Sequence, residues 1–405
     1  MRKSLYYLHF PYVYMVLCIL VYIVCLPFLV ASVLRKKHKD SIPQRFFGVH
    51  FKLPFKPQYW FHACSFGEIK SLEPIILALL DSPKPPRVLI TTITHTGYAE
   101  AQKLFRARFP AQVCVKFLPF EIFLPLWRGK LSHLKSLVVM EAELWKMLFF
   151  IAKSKRAKTL LLNARISDRS QKSYERFRGF YRGIFEYIDM VLAQSSKDKR
   201  RLQALGARDV SVFGNLKMLN PPKVSRAYRK IAPLIVLGAS THRGEEELLV
   251  RSFVEFKVRY PHAQLILAPR HPERFESVCE MLGKIGLKFA RLSDLGDEIR
   301  GEIIVVDRLG ELVNLYAISD IVVLGGSLVP KIGGHNPLEP AFFHTRLISG
   351  KHIFNQQALF VCVQNAKLIE SSELTQTLLE YESLLPASVE FRANALEEIL
   401  TLIRG

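Results

Sequence analysis

The residues in this chain best suited to chemistry stand where apolar, strand-like runs give way to helix starts. Glu68 closes Cys64-Ser65-Phe66-Gly67-Glu68, and Met140-Glu141-Ala142-Glu143 repeats the arrangement with two acids. A carboxylate in that position can take a proton from a hydroxyl or simply complement a helix dipole. Lys217 follows Gly214-Asn215-Leu216, and Pro269-Arg270-His271 follows another apolar run. Such cations suit phosphate. The longest signal is 321–341, IVVLGGSLVPKIGGHNPLEPA. Asn336 before Pro337, with Glu339 three positions on, reads as a capped helix start, and the glycines before it would let backbone N–H groups cradle a phosphate. An ordinary strand, loop and helix would look the same.

Placing these residues requires a parallel, helix-flanked sheet, and the chain supplies the rhythm for two. Apolar runs at 59–63, 87–93, 113–118, 136–140, 159–163, 191–193 and 210–213 alternate with helical segments, among them 69–80 and 98–108. Asn220-Pro221-Pro222-Lys223 breaks the pattern. It resumes at 234–237, 265–268, 303–306 and 321–324, and 346–349 reads as the final strand. Ligands of such sheets bind outside the carboxyl ends of the strands.

From Ser4 to Leu34 there is no Asp, Glu, Lys or Arg, enough to span a bilayer. Arg2 and Lys3 precede the run and Arg35, Lys36, Lys37 and Lys39 follow it, which predicts a cytoplasmic domain after an anchor. A cleaved signal peptide is the competing reading, disfavoured by the long Tyr-rich run and the missing small-x-small cleavage site. The stretch 45–60 mixes Phe46, Phe47, Phe51, Phe55 and Trp60 with Arg45, Lys52 and Lys56, suiting either a lipid interface or packing under the first strand. The expected division is anchor 1–34, first domain 35–220 and second domain 221–405.

The 405 residues carry a formal charge of +21, and only six Lys/Arg and one Asp fall in the first 40. Between Lys153 and Arg208 there are 15 Lys/Arg against 5 Asp/Glu. Spread basicity of this kind favours anionic partners: nucleic acid, acidic lipid or a phosphorylated substrate. Six cysteines without CxxC spacing imply a reducing compartment and no structural zinc, and the histidines show no metal-ligand spacing.

In order, CSFGE (64–68), TTITHTG (91–97), MEAELW (140–145), NARISDRS (163–170), GNLK (214–217), STHRGEEE (240–247), PRHPERF (269–275), LGELVNLY (309–316) and GGSLVPKIGGHNPLEP (325–340) resemble the Kdo (3-deoxy-D-manno-octulosonic acid) transferase family of lipopolysaccharide biosynthesis. The resemblance implies the GT-B architecture, two facing Rossmann-like α/β domains behind a membrane-anchor helix. It also implies inverting transfer of Kdo from CMP-Kdo to a phosphorylated lipid A precursor (lipid IVA) at the cytoplasmic side of the inner membrane, with no metal or other cofactor and no nucleic-acid partner.

By the same resemblance Glu68 is the general base, and Glu141 and Lys217 stabilise the transition state. Pro269, Arg270, Leu309, Gly310, Glu311, Asn336, Pro337, Leu338 and Glu339 bind CMP. CSFGE replaces the family's more usual SVSVGE, Lys146 stands where Pro is usual, and Met218-Leu219-Asn220 follows Lys217 in place of Phe/Tyr-Asp. A GT-B enzyme using another nucleotide sugar, or a membrane-tethered nucleic-acid binder, are the rival readings.

Overall fold

The computed structural model describes residues 9–33, 41–46, 52–389 and 394–405. The flanking basic residues Arg2, Lys3, Arg35, Lys36, Lys37 and Lys39, with Phe47 and Phe51, lie outside the described residues. The chain forms two compact units, Met1–Asn220 with Ala393–Gly405, and Pro221–Arg392.

In the first unit β1 (Tyr59–His62), β2 (Val88–Thr92), β3 (Val113–Phe117), β4 (Ser136–Met140), β5 (Lys158–Ala164), β6 (Met190–Ala193) and β7 (Val210–Val212) form one sheet. The strands are parallel, in the order β3-β2-β1-β4-β5-β6-β7. Every residue of β1, β2 and β4 is buried, as continuous apolar runs covered by helices on both faces require. The strand order reverses between β1 and β4.

The second unit holds β8 (Leu234–Thr241), β9 (Ala263–Pro269), β10 (Ala290–Arg291), β11 (Ile303–Val305), β12 (Ile321–Leu324), β13 (Arg346–Gly350), β14 (Val363–Gln364), β15 (Lys367–Ile369) and β16 (Ser388–Val389). Its parallel sheet runs β10-β11-β9-β8-β12-β13-β15, and β14 pairs antiparallel with β16. Here the order reverses between β8 and β12. The strand at 346–349 is therefore not the last: β15 pairs beyond it.

Two other expectations are corrected. The helix expected over 69–80 is two, Phe66–Ser71 and Glu73–Leu80, joined at Leu72. Pro74 has no N–H to give the Lys70 carbonyl, and the Asn220 side-chain amide donates there instead (3.4 Å). The second domain does not run to 405. Helix Ala395–Arg404 returns to the first unit, burying Ile399, Leu400 and Ile403 against Ile75, Ile76 and Leu79, while Ser136 donates to the Ile403 carbonyl.

Helix Tyr12–Val33 has a mean hydropathy of 2.8 and is long and apolar enough to cross a membrane. Half-buried Tyr14, Cys18, Tyr22, Cys25 and Leu29 recur at helical spacing, so one face rests on protein. Tyr14 donates to Glu121, and Tyr22 packs edge-on to Phe120 and Phe46. The described aromatics of 45–60 take the packing alternative. Phe46 and the Arg45 guanidinium lie on the Phe120 ring, and Trp60 is buried beside Trp127.

Candidate active site

Glu68 follows β1 and Glu141 follows β4, so the two acids flank the reversal of the first sheet, where ligands of doubly wound sheets bind. Ser65 caps the helix that carries Glu68, accepting its N–H. The Glu68 carboxylate folds back, accepting from the Ser65 hydroxyl (2.7 Å) and the Cys64 N–H (2.8 Å). Burial raises its pKa above the ordinary 4.5 against those two hydrogen bonds, and Glu141 and Glu143 add to the rise. A half-buried carboxylate with raised proton affinity is equipped to act as a base.

The TTITHTG segment fixes this turn. Thr92 and Thr94 hydroxyls both donate to the Cys64 carbonyl, and a Cβ on Gly97 would stand 2.6 Å from Thr92 Oγ1 and 3.0 Å from that carbonyl. Only glycine fits so close an approach.

Glu141 has φ 53°, a left-handed conformation costly for a non-glycine residue. Its N–H donates to the Leu162 carbonyl (2.8 Å), and its carboxylate lies 3.6 Å from Arg165 Nε. Burial raises its pKa, opposed by Arg165 and Lys217. The sequence singled out this acid and Lys217 separately, and the fold brings their charges within electrostatic reach.

A relay of amides sets the Lys217 backbone. Asn163 Oδ1 accepts from Leu216 N–H (3.1 Å), Asn215 Oδ1 accepts from Lys217 N–H (3.0 Å), and Gln194 joins the Asn163 carbonyl to the Asn215 amide. All three are buried. Asn163 and Asn215 fall within NARISDRS and GNLK, but no local pattern shows these contacts, which join segments dozens of residues apart.

In the second unit the first backbone amides of the glycine stretch are already taken by the chain's own side chain. The N–H groups of Gly326 (2.7 Å), Ser327 (3.1 Å) and Leu328 (2.9 Å) all donate to the Glu245 carboxylate, which also accepts from His242 N–H (2.9 Å). This fully buried acid ties the turn after β8 to the loop after β12, across the reversal of the second sheet. Glycine at 325 serves packing, since a Cβ would lie 2.5 Å from the Ser240 carbonyl oxygen.

The helix start is also displaced: the helix is Leu338–Phe342 with Pro337, not Asn336, at its cap. Asn336 still accepts from Leu338 N–H (3.1 Å), and its amide donates to Glu339 (3.1 Å). Five residues give little macrodipole, so this start offers less to an anion than expected.

What gathers beside the reversal is imidazole. His242 and His335 stack at 5.1 Å with Nε2 atoms 2.8 Å apart, and His271 meets His242 edge-on at 5.4 Å. Arg270, exposed just after Pro269 at the end of β9, donates its N–H to the Thr241 carbonyl (3.0 Å). Glu311 is already engaged by Tyr228, Asn314 and Arg308. Leu309, 65% exposed, and Gly310 precede it in an open turn.

The sequence profile of the 3-deoxy-D-manno-octulosonic-acid transferases (kdotransferase) matches residues 40–220. A 3-deoxy-D-manno-octulosonic acid transferase of Haemophilus influenzae is 32% identical over 394 residues, covering 92% of this chain and 90% of that protein. One of Bordetella pertussis is 32% identical over 324 residues, 76% and 74% of the two chains. The chain belongs to the 3-deoxy-D-manno-octulosonic acid transferase family. It is a glycosyltransferase, and its fold is GT-B. A UDP-GlcNAc 2-epimerase of Neisseria meningitidis shares that fold at a TM-score of 0.53, with 14% identity over 85% of this chain and 98% of its own.

Within this Kdo transferase-family enzyme, Glu245 and the three histidines fall in STHRGEEE, PRHPERF and GGSLVPKIGGHNPLEP, but the motifs do not show that they converge. Glu245 opens three successive glutamates, which read as acids at a helix start. The histidines come from the turns after β8 and β9 and from the loop after β12.

Proposed function

We propose that this enzyme transfers Kdo from CMP-Kdo to lipid IVA, as an inverting step in lipopolysaccharide biosynthesis, with the apolar helix inserted in the inner membrane and both units cytoplasmic. Glu68 takes the acceptor hydroxyl proton while that oxygen bonds to the anomeric carbon of Kdo. The bond from that carbon to the CMP phosphate oxygen breaks, and CMP leaves with its electron pair. Lys217, paired electrostatically with Glu141, offsets the growing negative charge without a metal. The observation that supports this reading is the placement of Glu68 and Glu141 on either side of the β1/β4 reversal in a chain of this family.

The second unit is assigned the donor. Arg270 and the adjacent imidazoles face the phosphate, Leu309, Gly310 and Pro337–Leu338 line the nucleoside, and Glu339 accepts from ribose hydroxyls. Incubation with CMP-Kdo and tetraacylated lipid A precursor, read by mass spectrometry of the lipids, tests donor and acceptor together. A product gaining Kdo is expected. No product with CMP-Kdo, but one with another nucleotide sugar, would overturn the donor assignment.

Two binding predictions follow. Arg270→Ala should weaken CMP by about 10-fold or more, as removal of a charge-assisted hydrogen bond does, and unchanged affinity by calorimetry would remove Arg270 from the phosphate site. CMP affinity should also rise as pH falls. Burial, with His242, Arg270 and His271 nearby, holds His335 down at about 4, so it is neutral near pH 7. A bound phosphate raises that value, so binding takes up a proton and strengthens as pH drops from the bound-state pKa toward about 4, by at most about tenfold per unit per proton. Titrations between about pH 7 and 5 in buffers of different ionisation enthalpy, corrected for protonation of the CMP phosphate at about pH 6, should show the uptake; flat affinity and no proton uptake would contradict it.

A further inference from the structure

Three side chains that carry out no chemical step in this mechanism converge beside Glu68. His62 ends β1, Cys64 opens the turn that follows, and Glu143 lies in the turn after β4. His62 Nε2 and Cys64 Sγ are 3.7 Å apart, and with a Glu143 carboxylate oxygen all three atoms lie within 4.8 Å of one another. A tetrahedral Zn2+ holding nitrogen at about 2.0 Å and sulfur at about 2.3 Å separates those two ligands by about 3.5 Å. The observed His62–Cys64 spacing is close to that value.

Each outer contact has the form metal ligands require. His62 Nδ1 lies 3.1 Å from the Thr91 carbonyl oxygen and 3.0 Å from the Thr91 hydroxyl; the carbonyl only accepts, which favours the tautomer with the proton on Nδ1 and the Nε2 lone pair turned toward Cys64. Glu143 Oε2 accepts from the Trp145 indole N–H (2.8 Å), which orients the carboxylate, and the Cys64 thiol is hydrogen-bonded to Glu143, so a metal ion would take the place of the thiol proton between them. His62 is fully buried and Cys64 nearly so, while Glu143 is half-exposed, giving an ion a way in on the carboxylate side. The Arg45 guanidinium, whose Nε donates to the Leu118 carbonyl and which lies 4.1 Å over the Phe120 ring, keeps its charge and opposes a cation here, so the thiolate and the carboxylates have to outweigh it. Glu68 adds a second carboxylate to the neighbourhood.

We propose that His62, Cys64 and Glu143 form a binding site for Zn2+ or a similarly thiophilic divalent cation, with a water completing the tetrahedron. Nitrogen and thiolate ligands select such ions over Mg2+. Coordination deprotonates the thiol and clamps the turn after β1 to the turn after β4, the two turns that carry Glu68 and Glu141.

The test uses the full-length protein in detergent micelles. After chelation and dialysis, Zn2+ should bind one per chain by elemental analysis and raise the thermal unfolding midpoint, whereas Mg2+ should do neither. Co2+ should give tetrahedral visible absorption with a thiolate-to-metal charge-transfer band. Cys64→Val should lose that band and at least about 100-fold in Zn2+ affinity, and Trp145→Phe, which removes only an outer contact, about 10-fold. If Cys64→Val misfolds by circular dichroism, Cys64→Ser carries the same comparison. Absence of binding, or binding that survives both Cys64 substitutions with its spectrum intact, would overturn the site. None of these readouts depends on Kdo transfer.

Discussion

Glu68→Gln should slow Kdo transfer by about 10²- to 10⁴-fold, the usual contribution of a general base, while CMP affinity stays at the parent value. The substitution keeps shape and volume. Its amide oxygen can still accept from Cys64 N–H, and the Ser65 hydroxyl, now a donor to the carboxylate, can rotate to accept from the new NH2. The fold should therefore survive, at a cost of about 1 kcal/mol.

The pH profile separates loss of the base from local damage. Because burial lifts the Glu68 carboxyl above its ordinary value, the parent rate should fall with decreasing pH through a limb set higher than a free glutamate would give. In Glu68→Gln that limb should vanish. A folded variant that transfers at the parent rate would remove Glu68 from the mechanism.

Glu245→Ala should destabilise the second unit by at least about 3 kcal/mol and abolish CMP binding. The carboxylate is fully buried and accepts four backbone N–H groups, from His242, Gly326, Ser327 and Leu328. Truncation leaves four buried donors without partners, each costing about 1–3 kcal/mol before relaxation or water entry. Urea unfolding should show the loss. Glu245→Gln, which retains one acceptor oxygen but points an NH2 at the remaining donors, should fall between parent and alanine variant. Parent-like stability in both would mean that the loop satisfies its amides elsewhere.

Much of this architecture was legible because the sheet strands are apolar runs buried on both faces. The expected strand ends at Met140 and Leu324 agree with β4 and β12. What escaped had weak local signal. β15 is three residues, two of them exposed, and no pattern distinguishes it from loop. The return of the last helix to the first unit is a tertiary fact, since an amphipathic helix at the end of the chain does not reveal which core receives it.

The acids at strand ends were found because they interrupt apolar runs. Their companions Asn163, Asn215 and Glu245 act through hydrogen bonds across long sequence separations. The glycine stretch shows the same limit: glycine composition announces close backbone approach, but it does not distinguish a ligand's oxygen from one of the chain's own. Here the oxygens belong to Glu245.

Tyr14 belongs to the apolar helix, yet its hydroxyl donates to Glu121, whose other oxygen accepts Met147 N–H (2.7 Å) at the start of the helix Lys146–Ser154. That helix begins one residue after the turn carrying Glu141 and Glu143. The apolar segment is thus a strut as well as a tether: a soluble version beginning after Val33 would strip one partner from a buried carboxylate and slacken the acid-bearing turn. Activity lost on such truncation would report a loosened brace as readily as a missing membrane.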